Sequence, residues 1–321
     1  MGDLLTATLQ FWNAAVNYQD NIDWIQQVGL VESYKQANPF VSAAFFMSFV
    51  AFVCWILGLI TNNYSQVDRL WSIIPFAYCW HFAYHYYITT GLLDCRLLTM
   101  TSLATLWGLR LSYNFYRKGG YSFKEEDYRW PILKKIITNR FVFEIFNLTF
   151  IATYQNILLY LIIVPIYYAY LAAKYSINPD WSIFDTVGTA GFLFFLLIET
   201  IADQQQWNYQ TTKYELKAKN KLHSIYKVGF IHTGLFRYSR HPNFLSEQVI
   251  WWFFYVFSLN YTPLSFINQS VLGTALLTLL FQGSTKFTEN ITKAKYPQYA
   301  EYQKGTSRFI PLPSSFKPKI N

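Results

Sequence analysis

The sequence predicts an all-α, polytopic membrane bundle of seven transmembrane helices. Three observations predict it. Only 14% of the 321 residues are charged and 53% are hydrophobic, whereas a soluble domain carries about 25% charged residues. Several apolar runs reach or approach the roughly 20 residues that cross a bilayer. The basic residues, which set the net charge at +8, collect in alternate loops.

The elements follow in order. Residues 1–39 read as a luminal or interfacial segment. Met1 to Val16 carries Asp3 where a signal peptide has a positive region, and no small-residue cleavage site follows. Phe40 to Ile60 is the clearest span and contains no charge. Trp71 to Ile88 is the second, and Leu97 to Tyr116, interrupted by Arg110, is the third. Phe143 to Ala173 exceeds the length of one span and contains Pro165, which predicts a long, tilted or kinked helix. Thr186 to Trp207 is the fifth, apolar except near its end. Asn243 to Leu259 and the short Leu272 to Gly283 complete the set. Residues 40–312 thus form one membrane domain, followed by a tail over 313–321.

Charge tests the count independently, because cytoplasmic loops are enriched in Lys and Arg. Seven spans place loops 61–70, 117–142 and 208–242 and the tail on one side, with 22 of the 26 Lys and Arg residues. The other side holds 3, and Arg110 lies within a span. The N-terminus is therefore read as luminal and the C-terminus as cytoplasmic, in the endoplasmic reticulum of a eukaryote. The positive charge reflects topology rather than nucleic acid, with anionic lipids or ligand phosphates as partners. Cys54, Cys79 and Cys95 are too few for a disulfide scaffold. No GxGxxG, P-loop or GxSxG is present. His81 and His85 form HxxxH, but five histidines in all are too few for a multi-histidine iron site. They read as core or cavity-lining residues, and no metal is expected.

Ionisable groups inside a span are expensive and mark candidate sites. Glu199 and Asp203 lie four apart near the end of the fifth span, on one helix face. The sixth opens with Gly234-Leu235-Phe236-Arg237-Tyr238-Ser239-Arg240-His241-Pro242-Asn243-Phe244, then Glu247 and Trp251. Pro242 suits a first helical turn, and Asn243, Glu247 and Trp251 recur every four residues. Arg237 and Arg240 flank a helix N-terminus, where free N–H groups attract anions. Arginine suits bidentate phosphate contact. Together these describe a phosphate-bearing ligand at the membrane boundary.

That run, with Glu199-Thr200-Ile201-Ala202-Asp203-Gln204 upstream and Tyr296-Pro297-Gln298-Tyr299-Ala300-Glu301-Tyr302 downstream, resembles the steroid 5-alpha-reductase superfamily. Val67-Asp68-Arg69-Leu70-Trp71-Ser72 and Glu126-Asp127-Tyr128-Arg129-Trp130 resemble its branch once filed as a domain of unknown function. The resemblance covers roughly residues 60–312. It implies a seven-helix bundle, bound NADPH, and a lipid or steroid-like substrate whose electron-poor C=C bond accepts a hydride. It implies that Asp203, Asn243 and Glu247 contact the cofactor, with Glu199, on the face of Asp203, expected as a fourth contact, and that Arg237, Tyr238, Arg240 and His241 surround its phosphates. The steroid reductases place a glutamate and a tyrosine on the substrate carbonyl. The nearest counterparts by position are Asp68 and the Trp107–Tyr113 stretch. Asp68, Tyr113 and Glu126 are accordingly expected at the substrate end, with Tyr113 the proton donor. Its ordinary pKa of about 10 keeps it neutral, and Arg110 nearby favours the tyrosinate left after donation.

Two other classes stay open. Isoprenylcysteine carboxyl methyltransferases are similar in the Arg-His-Pro pattern but bind S-adenosylmethionine. They carry a paired Glu-Glu in the last helix region, where this chain has Thr288-Glu289-Asn290. A lipid-binding membrane protein without catalysis is the third class.

Overall fold

The computed structural model describes Thr6, Leu9, Gln10, Asn13, residues 26–262 and residues 265–318. The Met1–Val16 segment lies almost wholly outside the described residues, as do the last three residues of the tail. The described residues are mainly helical, with no strand among them. It divides into two compact units within the single domain expected over 40–312. The first takes Met1–Thr189 and Phe254–Ala275, the second Ala190–Phe253 and Leu276–Asn321.

In the first unit, α1 is Leu30–Gln36, α2 Pro39–Thr61, α3 Gln66–Leu70, α4 Ile74–Thr90, α5 Cys95–Arg117 and α6 Arg129–Ile136. A long helix, α7, runs Arg140–Lys174. Asn38 caps α2 by accepting from the Phe40 N–H at 2.9 Å, with Pro39 in the first turn. Asp94 caps α5 through the Leu97 N–H at 2.8 Å. His85 is a satisfied core residue and His81 a satisfied, half-buried one. His81 meets the Pro39 carbonyl at 2.9 Å and the Tyr34 hydroxyl at 2.8 Å. His85 meets the Ala37 carbonyl at 3.1 Å and the Tyr170 hydroxyl at 3.0 Å. These contacts fasten α4 to α1, to the start of α2 and to α7.

The expected irregularity in α7 is present, in two forms. Asn147–Tyr154 is π-helical, which the sequence reading did not anticipate. Pro165 then opens a new helical segment at Val164, after turns at Ile162 and Ile163. Proline has no N–H to give the carbonyl four residues back, so Leu161 loses its helical donor. Gly273 packs against that carbonyl: a Cβ there would stand 2.2 Å from the Leu161 oxygen.

The start of α8, Ile183–Ala218, is pinned by a buried ion pair. Arg96 donates to Asp185 at 2.7 Å through Nε and at 3.0 Å through Nη2, the two side chains 3% and 0% exposed. Asn260 adds a bond to the same carboxylate at 2.8 Å, and Ser182 N–H another at 2.8 Å. Asn260 heads a sequon, yet its amide is buried and committed to Asp185.

The second unit contains the rest of α8, most of α9 (Pro242–Val256) and of α10 (Val271–Lys295), then α11 (Tyr299–Gly305). Ala202, Tyr209, Ile231 and Phe236 form one core cluster, and Val228, Phe230, Tyr299 and Tyr302 another.

Each of the seven apolar runs lies within a helix or continues one. Among the described residues three helices, α2, α7 and α8, are long and apolar enough to cross a membrane. α4 has 17 residues and α9 has 15, shorter than a full crossing, and α5 and α10 are more polar.

Candidate functional site

The second unit builds its polar centre from three segments. On α8, Glu199 is buried, and Asp203 one turn on accepts from Asn243 Nδ2 at 3.1 Å. On α9, Glu247 is buried one turn after Asn243 and accepts from Trp251 Nε1 at 3.1 Å. The structure therefore joins two of the four expected cofactor-contacting side chains directly. Between the helices, Gln205 accepts from the Leu235 N–H at 2.9 Å and fixes the 3₁₀ turn Gly234–Arg237. Gly234 has φ +61°, and a Cβ there would lie 2.5 Å from the Gln205 oxygen. Only glycine combines that conformation with that approach. The turn leaves Arg237 and Tyr238 exposed.

Arg240 and His241, expected beside them at cofactor phosphates, are committed elsewhere. Arg240 is buried and donates to Glu289 at 2.6 and 3.3 Å, to the Gln303 carbonyl at 3.0 Å and to the Thr306 carbonyl. His241 Nε2 bonds Glu289 Oε1 at 2.8 Å, so that nitrogen carries the proton facing an ionised carboxylate. Gln303 and Tyr299 also donate to Glu289, at 2.9 and 3.3 Å. Burial alone would raise the Glu289 carboxyl. The bonds from His241, Arg240 and Gln303 outweigh it and hold the carboxyl far below the usual range. Burial lowers the His241 imidazole, against the pull of Glu289.

This hub straps the C-terminal segment to α9. Arg240 N–H donates to the Ser307 carbonyl at 2.8 Å, His241 N–H to Arg308 at 3.2 Å, and Leu312 N–H to Tyr238 at 2.9 Å. Sequence reasoning missed Glu289, noting it only as a lone glutamate. The available signal was the need of a buried arginine for a carboxylate.

In the first unit, the two motifs quoted for the family branch bind each other. Asp68 accepts from Arg129 at 3.0 Å and from Trp130 Nε1 at 2.8 Å. Burial pushes its carboxyl up, with Arg129 opposing. Glu126 accepts from Lys134 at 3.0 and 3.1 Å and from the Tyr64 N–H at 2.9 Å. Tyr113 stands apart from this network. It is 62% exposed, and the Arg117 guanidinium lies 5.4 Å from its ring centre. Asp68 and Glu126 thus lock loops together, and Tyr113 alone of the three presents a free side chain.

Residues 54–306 match the family described as protein of unknown function (DUF1295). The chain belongs to the DUF1295 family. An uncharacterized protein of Schizosaccharomyces pombe is 37% identical over 292 residues, covering 89% of this chain and 83% of that protein. No solved structure matches the chain. The DUF1295 match embraces Asp68, Tyr113 and Glu126 as well as Glu199 to Glu289, so both polar centres belong to the family's common region.

Proposed function

We propose that this DUF1295 protein is a membrane-embedded, NADPH-dependent reductase of a C=C bond in a lipid or steroid-like substrate. The observation that carries the reading is the Asp203–Asn243 pair, one turn from buried Glu199 and from buried Glu247, beside a turn that exposes Arg237. Carboxylates and an amide suit the hydroxyls and carboxamide of a dinucleotide. Arg237, in no ion pair among the described residues, suits a phosphate. Bound NADPH supplies the hydride. The protein's part is to orient it, exclude water and deliver a proton. Tyr113 is the proton donor in this reading, while Asp68 and Glu126 hold the surrounding loops. Arg240 and His241 position the cofactor turn rather than touch phosphate.

The resemblance to the 5-alpha-reductase superfamily and the 22-to-3 basic split support seven crossings in an endoplasmic reticulum membrane, N-terminus luminal and C-terminus cytoplasmic.

Calorimetry on the detergent-purified full chain tests the cofactor. We expect NADPH to bind, and Arg237→Ala to weaken it by roughly 1.5–3 kcal/mol, the scale of a charged hydrogen bond. Equal affinity in both proteins refutes the placement. Preferential binding of S-adenosylmethionine moves the chain to the methyltransferase class. Binding of neither leaves a lipid-binding protein without catalysis. The proton donor has its own check: Tyr113→Phe slows NADPH oxidation by an active lipid enone while NADPH affinity is retained. An unchanged rate removes Tyr113 from the chemistry.

A further inference from the structure

Lys213 occupies an unusual place in the second unit. It lies on α8, is 6% exposed, and donates to the Gly229 carbonyl at 2.9 Å. Its ammonium stands over three tyrosine rings, 5.7 Å from the centre of Tyr209, 5.0 Å from Tyr214 and 5.6 Å from Tyr296. A second ammonium, that of Lys295, stands 5.5 Å from the same Tyr296 ring. Lys217 follows Lys213 by four residues and so shares its helix face. Among the described residues, none of these three lysines has a carboxylate partner. A buried charge is ordinarily paired. Here one carbonyl and three rings solvate it, and two further cations gather beside it. Burial, then Lys295 and Lys217, push the Lys213 ammonium down to about 8.

Position along α8 indicates what such a cluster meets. The apolar run ends at Trp207, and Lys213 comes six residues later, about 9 Å at 1.5 Å per residue. The polar layer of a bilayer extends roughly 5–8 Å beyond the hydrocarbon on each side. The Lys213 backbone therefore lies just past the headgroup layer, and its side chain slants toward the helix N-terminus, back toward that layer. The exposed ring of Tyr214 beside it suits that depth, where tyrosines are enriched.

We propose that Lys213, Lys217 and Lys295 form a binding site for an anionic phospholipid headgroup bearing a phosphate monoester. Lys217 and Lys295, both exposed, meet the phosphate from outside. Lys213 supplies fixed positive charge behind them. Three converging ammonium groups without a carboxylate match a dianion better than a single charge. The site is independent of the cofactor reading.

The test uses the full chain in mild detergent, titrated with fluorescent phosphatidic acid and, separately, phosphatidylcholine. Wild type is expected to bind phosphatidic acid at least about tenfold more tightly. Lys217→Gln with Lys295→Gln, both at the surface, is expected to abolish that preference without changing the melting temperature in phosphatidylcholine micelles. Lys219→Gln with Lys221→Gln removes the same charge outside the cluster and is expected to keep it. Equal losses in the two double variants, or no preference in wild type, overturn the proposal. So does competition by millimolar inorganic phosphate or by NADPH at its own binding concentration, since either moves the site to a free anion. Lys213→Gln is a second variant. If it folds, it also loses the preference, and retention there with loss in the surface pair restricts the site to Lys217 and Lys295 and overturns the three-lysine assignment.

Discussion

Glu289→Ala is expected to destabilise the second unit by about 3–5 kcal/mol, the cost of stranding a buried charge by removing its partner. The carboxylate accepts from Arg240, His241, Gln303 and Tyr299. Its loss leaves the Arg240 guanidinium buried with only the Gln303 and Thr306 carbonyls. Chemical unfolding in detergent measures the effect, and a cost under about 1 kcal/mol would show that the hub is ornamental. Replacing both partners, Arg240→Met with Glu289→Leu, should recover most of the loss, because an apolar pair carries no desolvation cost. The hub also sets a pH dependence. A carboxyl held far below its range in the folded state binds its proton more readily when unfolded. The stabilisation is present above the unfolded value of about 4.3 and is lost as pH falls from there toward the folded value. Wild type should therefore lose more stability than Glu289→Gln on acidification from about pH 5 to pH 3.

Asp185→Ala carries the second large effect, again about 3–5 kcal/mol, this time in the first unit. Arg96 is 3% exposed, and two of its contacts are to Asp185 oxygens. The Asn178 and Asp180 carbonyls, at 3.0 and 2.9 Å, remain but carry no full charge. The Ser182 N–H and the Asn260 amide lose their acceptor in the same substitution. Asn260→Ala removes one charge-assisted bond and should cost only about 1.5–3 kcal/mol. Unfolding by titrated dodecyl sulfate ranks the two variants. Asn260→Ala as costly as Asp185→Ala would shift the weight of this cluster from the ion pair to the amide.

Much of the architecture was legible because apolar runs and their interruptions are local. Every run became helix, and Pro165 broke α7 where its missing N–H required. The π-helical stretch was not legible, since Asn147–Tyr154 has an ordinary helical composition and its extra width depends on what packs around it. The candidate site divided along the same line. The pairing of Glu199 with Asp203 and of Asn243 with Glu247 on shared helix faces was legible because a spacing of four is visible within one helix at a time. The Arg240 ion pair was not legible because its partner lies 49 residues away. A basic residue beside a helix start looks the same whether it awaits a phosphate or holds a glutamate. The contacts of Asp68 were hidden for the same reason: Arg129 and Trp130 stand 61 and 62 residues on.

The π-helical stretch has a consequence for how this family can change over time. A π turn holds more residues than an α turn for the same sweep. Asn147–Tyr154 therefore stores spare chain in the part of the helix that precedes the break at Ile162 and Ile163. One residue can be lost there by tightening the coil, with Asn156, Tyr160 and Tyr167 still facing their present neighbours. A deletion in the regular helix of Gln155–Leu161 would swing the side chains that follow it, up to the break, by about 100°. Alignment gaps among relatives should accordingly gather at Asn147–Tyr154 rather than in Gln155–Leu161, and a laboratory deletion series across the two should find the tolerant stretch in the same place.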